Sequence, residues 1–143
     1  VFVLMNLSYA LSAYPAGRLA DRVDRRILLA CGLAVLIAAD LALALGGAAA
    51  IALGTALWGL HLGLTQGVLA AMVAAAAPSD LRGTAFGFFN LASGVAMLAA
   101  SVLAGLLWDR LGASAAFYSG AAFSAAALAL LLIGVISPVP RSG

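Results

Sequence analysis

From residue 27 to residue 137 the chain is a succession of apolar runs, each long enough to cross a bilayer. The run "ILLACGLAVLIAADLALALG" occupies residues 27–46 and is interrupted only by Asp40. Residues 48–77 carry no charge and stop at Pro78, whose ring cannot continue the helix before it. A third run, residues 83–108, gives way to "DRLG", and a fourth, residues 111–137, is closed by Pro138 and Pro140. Because a membrane helix needs about 20 largely apolar residues, the spacing predicts four spans, at residues 27–46, 50–77, 84–108 and 114–137. Residues 1–14 are too short to span alone and read as the end of a fifth helix. The predicted class is an all-α integral membrane protein.

Composition removes the alternative of a soluble globule. Only 8% of the 143 residues are charged and 66% are hydrophobic, where a soluble domain devotes roughly a quarter of its residues to charge. With no Lys and no Glu, nothing can coat the apolar exterior, which must face lipid. The net charge is +2, and the basic residues are not interleaved with aromatics, so nucleic acid is not an expected partner. A single cysteine, Cys31, excludes a disulfide framework within the chain. No Ser/His/Asp arrangement, metal-ligand cluster or phosphate-cradling loop stands out, so neither enzymatic chemistry nor a cofactor is expected. The chain opens on "VFVLMNLSYA", with no initiator Met, basic n-region or cleavage site. It therefore reads as starting within a longer protein rather than at a signal peptide.

Short connections make successive spans antiparallel, so the loops alternate between two sides of the membrane. One side collects Arg18, Arg22, Arg25, Arg26, Arg82 and, in the tail, Arg141; the other has Arg110 alone. By the positive-inside rule the six-Arg side is expected to be cytoplasmic. That places the loop at residues 15–26, the junction at Pro78 and the tail at residues 138–143 inside the cell, in a multi-pass protein of the cell (inner or plasma) membrane. Ser79 is the predicted N-cap of the third span, with Asp80 in its first turn. The decapeptide "GRLADRVDRR", residues 17–26, concentrates four of the seven basic residues and two of the five acids. Topology alone calls for arginines; the alternation of Asp21 and Asp24 with them suggests ion-paired structure at a helix junction.

Two spans carry polar faces. At about 100° per residue, Trp58, His61 and Thr65 fall in one arc of the second span, and Gly59, Gly63 and Gly67 form a separate small-residue stripe suited to close helix contact. The third span repeats the design with Phe86, Phe89, Asn90, Ser93 and Met97 on one side and Gly87, Gly94 and Gly105 beside them. Polar groups within a membrane helix face a cavity or another helix. His61 therefore reads either as a hydrogen-bonded packing residue or as a proton- or substrate-linked one. Asn90 and Ser93 read either as helix–helix bonds or as cavity lining. Gln66, off the Trp58 arc, reads as a packing contact, and Asp40, in the outward half of its span, as reaching the interface or pairing locally. Trp108 and Tyr118, near span ends, read as belt anchors.

The spacing G-x-L-A-D-R-x-x-R-R, carried by Gly17, Leu19, Ala20, Asp21, Arg22, Arg25 and Arg26 between two predicted membrane helices, resembles the loop signature of the major facilitator superfamily of secondary transporters. That family's pattern is G-x-L-A/G-D-R/K-x-G-R-R/K, and the chain departs from it at Asp24, where Gly is usual. The family carries the signature between its second and third helices and, in weaker copy, between its eighth and ninth. A degenerate match followed by four spans resembles the second location. The stretch at residues 77–112, above all "RGTAFGFFN", is similar to the family's tenth-to-eleventh helix junction and eleventh helix.

The resemblance implies a twelve-helix fold in two six-helix halves, of which this chain is the end of helix eight through helix twelve. It implies movement of a small solute by alternating access, ion- or proton-coupled. The implied partners are the lipid bilayer, an N-terminal six-helix half and a small-molecule substrate. It assigns a gating role to Gly17, Leu19, Asp21, Arg22, Arg25 and Arg26 together with Asp80 and Arg82. Asp21 would face the start of a helix of the other half, and Arg25 would pair with Asp80. Helices ten and eleven line the family's central cavity, which makes Trp58, His61, Thr65, Asn90 and Ser93 the candidate cavity residues, while helix nine, bearing Asp40, is peripheral. The alternative is a self-contained four-helix protein acting as a small dimeric exporter or scaffold. Insertion in both orientations needs weak charge bias, against which six Arg to one argues, and only Asp40 could supply an essential membrane carboxylate.

Overall fold

In the computed structural model, which describes residues 1–20 and 22–136, the apolar runs become five helices: α1 (Phe2–Ala20), α2 (Arg25–Leu45), α3 (Ala48–Ala76), α4 (Arg82–Leu111) and α5 (Ala113–Ile136). The four from α2 to α5 are long and apolar enough to cross a membrane, as the spacing predicts. Asp21 and the tail from residue 137 onward lie outside the described residues.

Each boundary has a local cause. The Asp24 backbone is extended (φ −55°, ψ 127°), and its Oδ1 accepts the Arg26 backbone N–H at 2.7 Å. That satisfies one of the free amides at the helix start and sets an anion at the positive end of the helix dipole. The residue that departs from the family pattern is thus the N-cap of α2. The connection from α2 to α3 is Gly46 and Gly47, both at positive φ (71° and 84°), and Gly112 (φ 89°) joins α4 to α5. Glycine alone takes such angles without strain.

Two boundaries differ from expectation. Helix α1 runs through Pro15 to Ala20 instead of ending at Tyr14, so much of the expected loop is helical. A proline removes one amide donor and commonly stops a helix, but membrane helices tolerate it where neighbours support the backbone, and Ala16 just beyond it is buried. At the other junction the Leu81 amide donates to the Pro78 carbonyl at 3.0 Å, closing a separate turn before α4 begins. Ser79 is therefore not the N-cap. Leu81 holds that position without a side-chain bond, and Asp80 lies in the turn outside the helix.

Helix α3 packs between α1 and α2; an adjoining face of α2 packs on α5; α4 packs on α5 and touches α3. The register follows from close approaches. A β-carbon on Gly59 would meet Met5 and Ser8, and one on Gly63 would meet Ser12 and Ala13, so α1 and α3 run parallel. Gly54 faces Ala39 and Leu43 while Gly32 faces His61 and Thr65, so α2 and α3 are antiparallel. Helices α2 and α5 are antiparallel too: Gly120 abuts Asp40, and the Ser114 hydroxyl donates to the Ala44 carbonyl at 2.8 Å. Two members of the expected glycine stripe, Gly59 and Gly63, thus make a helix contact, whereas Gly67 meets nothing within 4 Å. A small core of Leu28, Leu29 and Val68, flanked by Met72 and Leu131, ties α2, α3 and α5 together. Helix α4 contributes no buried residue.

Candidate functional site

The antiparallel order brings the start of α2 beside the ends of α3 and α5, and the signature arginines exploit that. Arg25 Nη1 donates to the Ala71 carbonyl of α3, and Arg26 Nη1 to the Gly134 carbonyl of α5, each at 3.4 Å. Carbonyls toward helix C-termini carry partial negative charge, so a guanidinium there is favoured. Arg25 and Arg26, with Asp24, Met72, Ala75 and Ala76, line an open groove of about 400 Å³. The Arg18 guanidinium sits over the Tyr14 ring, 4.7 Å from its centroid, a cation–π contact. Gly17, Leu19 and Arg22 are exposed, as are Asp80 and Arg82 across the groove's neighbouring turn. Arg25 is turned to the carbonyl end of α3; the ion pair with Asp80 is not formed among the described residues. Asp21 lies outside the described residues.

The second polar set forms at the α2–α3 contact. His61 Nδ1 lies 2.8 Å from the Gly32 carbonyl oxygen. A carbonyl only accepts, so the chemistry of the partner assigns the proton to Nδ1, which donates, and in the neutral imidazole leaves Nε2 with its lone pair. The Thr65 hydroxyl donates back to the His61 carbonyl at 2.8 Å, and Thr65 is buried. Gly32 permits this approach, since a β-carbon there would collide with the Thr65 methyl group and lie 3.8 Å from His61 Nδ1. Trp58, nearly one turn earlier, is 38% exposed at the edge of the contact.

Asn90 and Ser93 stand on α4, Asn90 exposed and Ser93 half-buried. The structure brings His61 and Thr65 together and leaves Asn90 and Ser93 on a separate surface. An open apolar groove of about 460 Å³ lies between the end of α3 and the start of α4, lined by Val73, Pro78, Leu81, Thr84, Phe88 and Phe89. Neither polar set lines it.

Sequence reasoning missed three contributors. Asp24 had a visible signal, an acid immediately before an apolar helix. Gly32 and Gly120 had none beyond being glycines in apolar runs, because what they make room for comes from another helix.

Apolar helices joined by short turns, four of them long enough to cross a membrane, and an arginine-rich turn at one end define a polytopic membrane protein. The family model of the Major Facilitator Superfamily matches residues 1–143, the whole length of the chain, and the chain belongs to that superfamily of transporters. No curated protein and no solved structure matches it.

Proposed function

We propose that the chain is the C-terminal part of a secondary active transporter that moves a small solute across the cell membrane by alternating access, with ion or proton coupling. The observation that carries this reading is α4, a 30-residue helix of spanning length without one buried residue. Its surface bears Asn90 and Ser93 among exposed Phe88, Leu91 and Met97. An amide facing lipid is costly, so such a face suits a protein partner or a water-filled cavity. A preceding six-helix half would supply both, with the solute route between Trp58, His61 and Thr65 on α3 and Asn90 and Ser93 on α4. In this reading His61 exchanges a proton at Nε2 while Gly32 holds Nδ1. The gate is formed by Gly17, Leu19, Asp21, Arg22, Arg25, Arg26, Asp80 and Arg82 on the cytoplasmic side. Opening and closing would exchange the carbonyl partners of Arg25 and Arg26 for groups of the other half.

The test is solute flux into vesicles under a proton gradient, with residues 1–143 alone and with an upstream six-helix half co-expressed. The chain alone should show no flux and the pair should. In the pair, His61→Asn, which keeps a donor for the Gly32 carbonyl, should retain assembly but lose proton-driven flux. Saturable flux from the chain alone, abolished by His61→Ala, would overturn the reading in favour of a small self-contained exporter.

A further inference from the structure

Asp40 lies within a membrane-spanning helix, five residues from the end of α2 or about 8 Å of axial rise, and is only 6% exposed. A side chain this short and this covered does not reach the aqueous interface as an anchor would. Its carboxyl fills a notch in α5: a β-carbon on Gly120 would lie 2.8 Å from Oδ2 and 3.3 Å from Cγ.

Among the described residues no cation answers it. Helix α5 contains no Asp, Glu, Lys, Arg or His, and its one titratable side chain, Tyr118, is exposed. On α3 the only ionisable group is His61, whose Nδ1 is held at Gly32, eight residues or about 12 Å along α2 from Asp40. On α2 itself, Arg25 and Arg26 stand at the opposite end, bonded to the Ala71 and Gly134 carbonyls. None of the described hydrogen bonds reaches the Asp40 carboxyl. A bare carboxylate in such a setting is far costlier than one that has taken up a counter-ion or a proton. A metal ion needs several ligands, and no group of three His, Cys, Asp or Glu side chains gathers among the described residues. A proton needs one oxygen.

We propose that Asp40 is a proton-binding site set in the α2–α5 interface against Gly120, separate from the polar faces of α3 and α4. The step is the reversible conversion of the carboxylate and one proton to the carboxylic acid. The acid form fits the narrow notch; the ionised form draws in water and loosens α5 from α2. The site stands without the transport reading, because its measurement involves no solute.

The test uses the full chain in its native membrane. Infrared difference spectra between wild type and Asp40→Asn across a pH series should show a carboxylic acid C=O band that depends on Asp40 and gives way reversibly to carboxylate as pH rises. On wild-type membranes, the lipid-soluble dicyclohexylcarbodiimide should modify Asp40. The acid O–H adds across its C=N bond, oxygen to carbon and hydrogen to nitrogen, and the adduct rearranges to the N-acylurea without a leaving group. Peptide mass spectrometry should find this adduct on Asp40, forming more slowly as pH rises. A water-soluble carbodiimide should modify exposed Asp80 and Asp109 and spare Asp40. Absence of both the Asp40-dependent band and the adduct, a band or labelling rate unchanged over the whole pH series, or water-soluble labelling of Asp40 as fast as of Asp80 would overturn the proposal. The wild-type labelling decides even if Asp40→Asn fails to fold.

Discussion

Gly59→Ala is the sharpest test of how α1 sits on α3. The added methyl would lie 2.8 Å from Ser8 Cβ and 3.1 Å from the Met5 carbonyl carbon, and closer still to the Met5 carbonyl oxygen. Carbon atoms are most comfortable at about 3.5–4.0 Å. Two of the three obstacles are backbone, so no rotamer change relieves them and the helices must separate. Overpacking of this kind costs about 1–3 kcal/mol. Removing a helical glycine returns up to about 1 kcal/mol on its own, and Gly67→Ala isolates that gain, because nothing lies within 4 Å of it. The two variants share the intrinsic term, so their difference reports the contact: roughly a fivefold to hundredfold shift in the folded-to-unfolded ratio. Unfolding in mixed micelles titrated with sodium dodecyl sulfate, followed by the fluorescence of Trp58 in a Trp108→Phe background, measures it. Equal stability of the two variants would refute the α1–α3 contact and with it the parallel register.

Two further outcomes follow from the turns. Asp24→Ala should destabilise the start of α2 by about 1 kcal/mol while Asp24→Asn changes little, since both Asp and Asn cap well; hydrogen exchange at the first amides of α2 reads it directly. Cysteines introduced at Val23 and Ser79 should both be labelled by an impermeant reagent from the cytoplasmic side, and labelling from outside alone would invert the orientation.

Much of the architecture was legible because apolar length and its punctuation act locally. Gly46, Gly47, Pro78 and Gly112 stop helices for reasons contained in a few residues, and the four spans stand where those breaks put them. The end of α1 was not legible: the helix continues past Tyr14 through Pro15, and the burial of Ala16 just beyond it is something no local pattern reveals. Asp24 was ambiguous, since a charge beside arginines fits an ion pair as well as a cap, and only the extended backbone decides. Periodicity placed His61 and Thr65 on one face of α3 but could not say that Gly32 of α2 would meet it. Asp40 was conspicuous, yet its counterpart Gly120 sits in an alanine-rich helix where one more small residue carries no signal.

The parallel contact between α1 and α3 also sets a timetable for biogenesis. Helix α1 packs chiefly on α3 and not on its neighbour in sequence, so its glycine-lined groove does not exist while α2 is being made. At about 5–20 residues per second, the ribosome needs about 3–11 s to pass from Ala20 to Ala76. During that interval Met5, Ser8 and Ser12 have no permanent partner, and the insertion machinery or lipid must shelter them. Helix α2 then waits longer still for α5, which emerges after α3 and α4, before Asp40 is enclosed. An arrest of translation after α3 has cleared the ribosomal tunnel, but before α5 is complete, should therefore leave α1 docked and Asp40 open, separating on the nascent chain two contacts that close together in the finished protein.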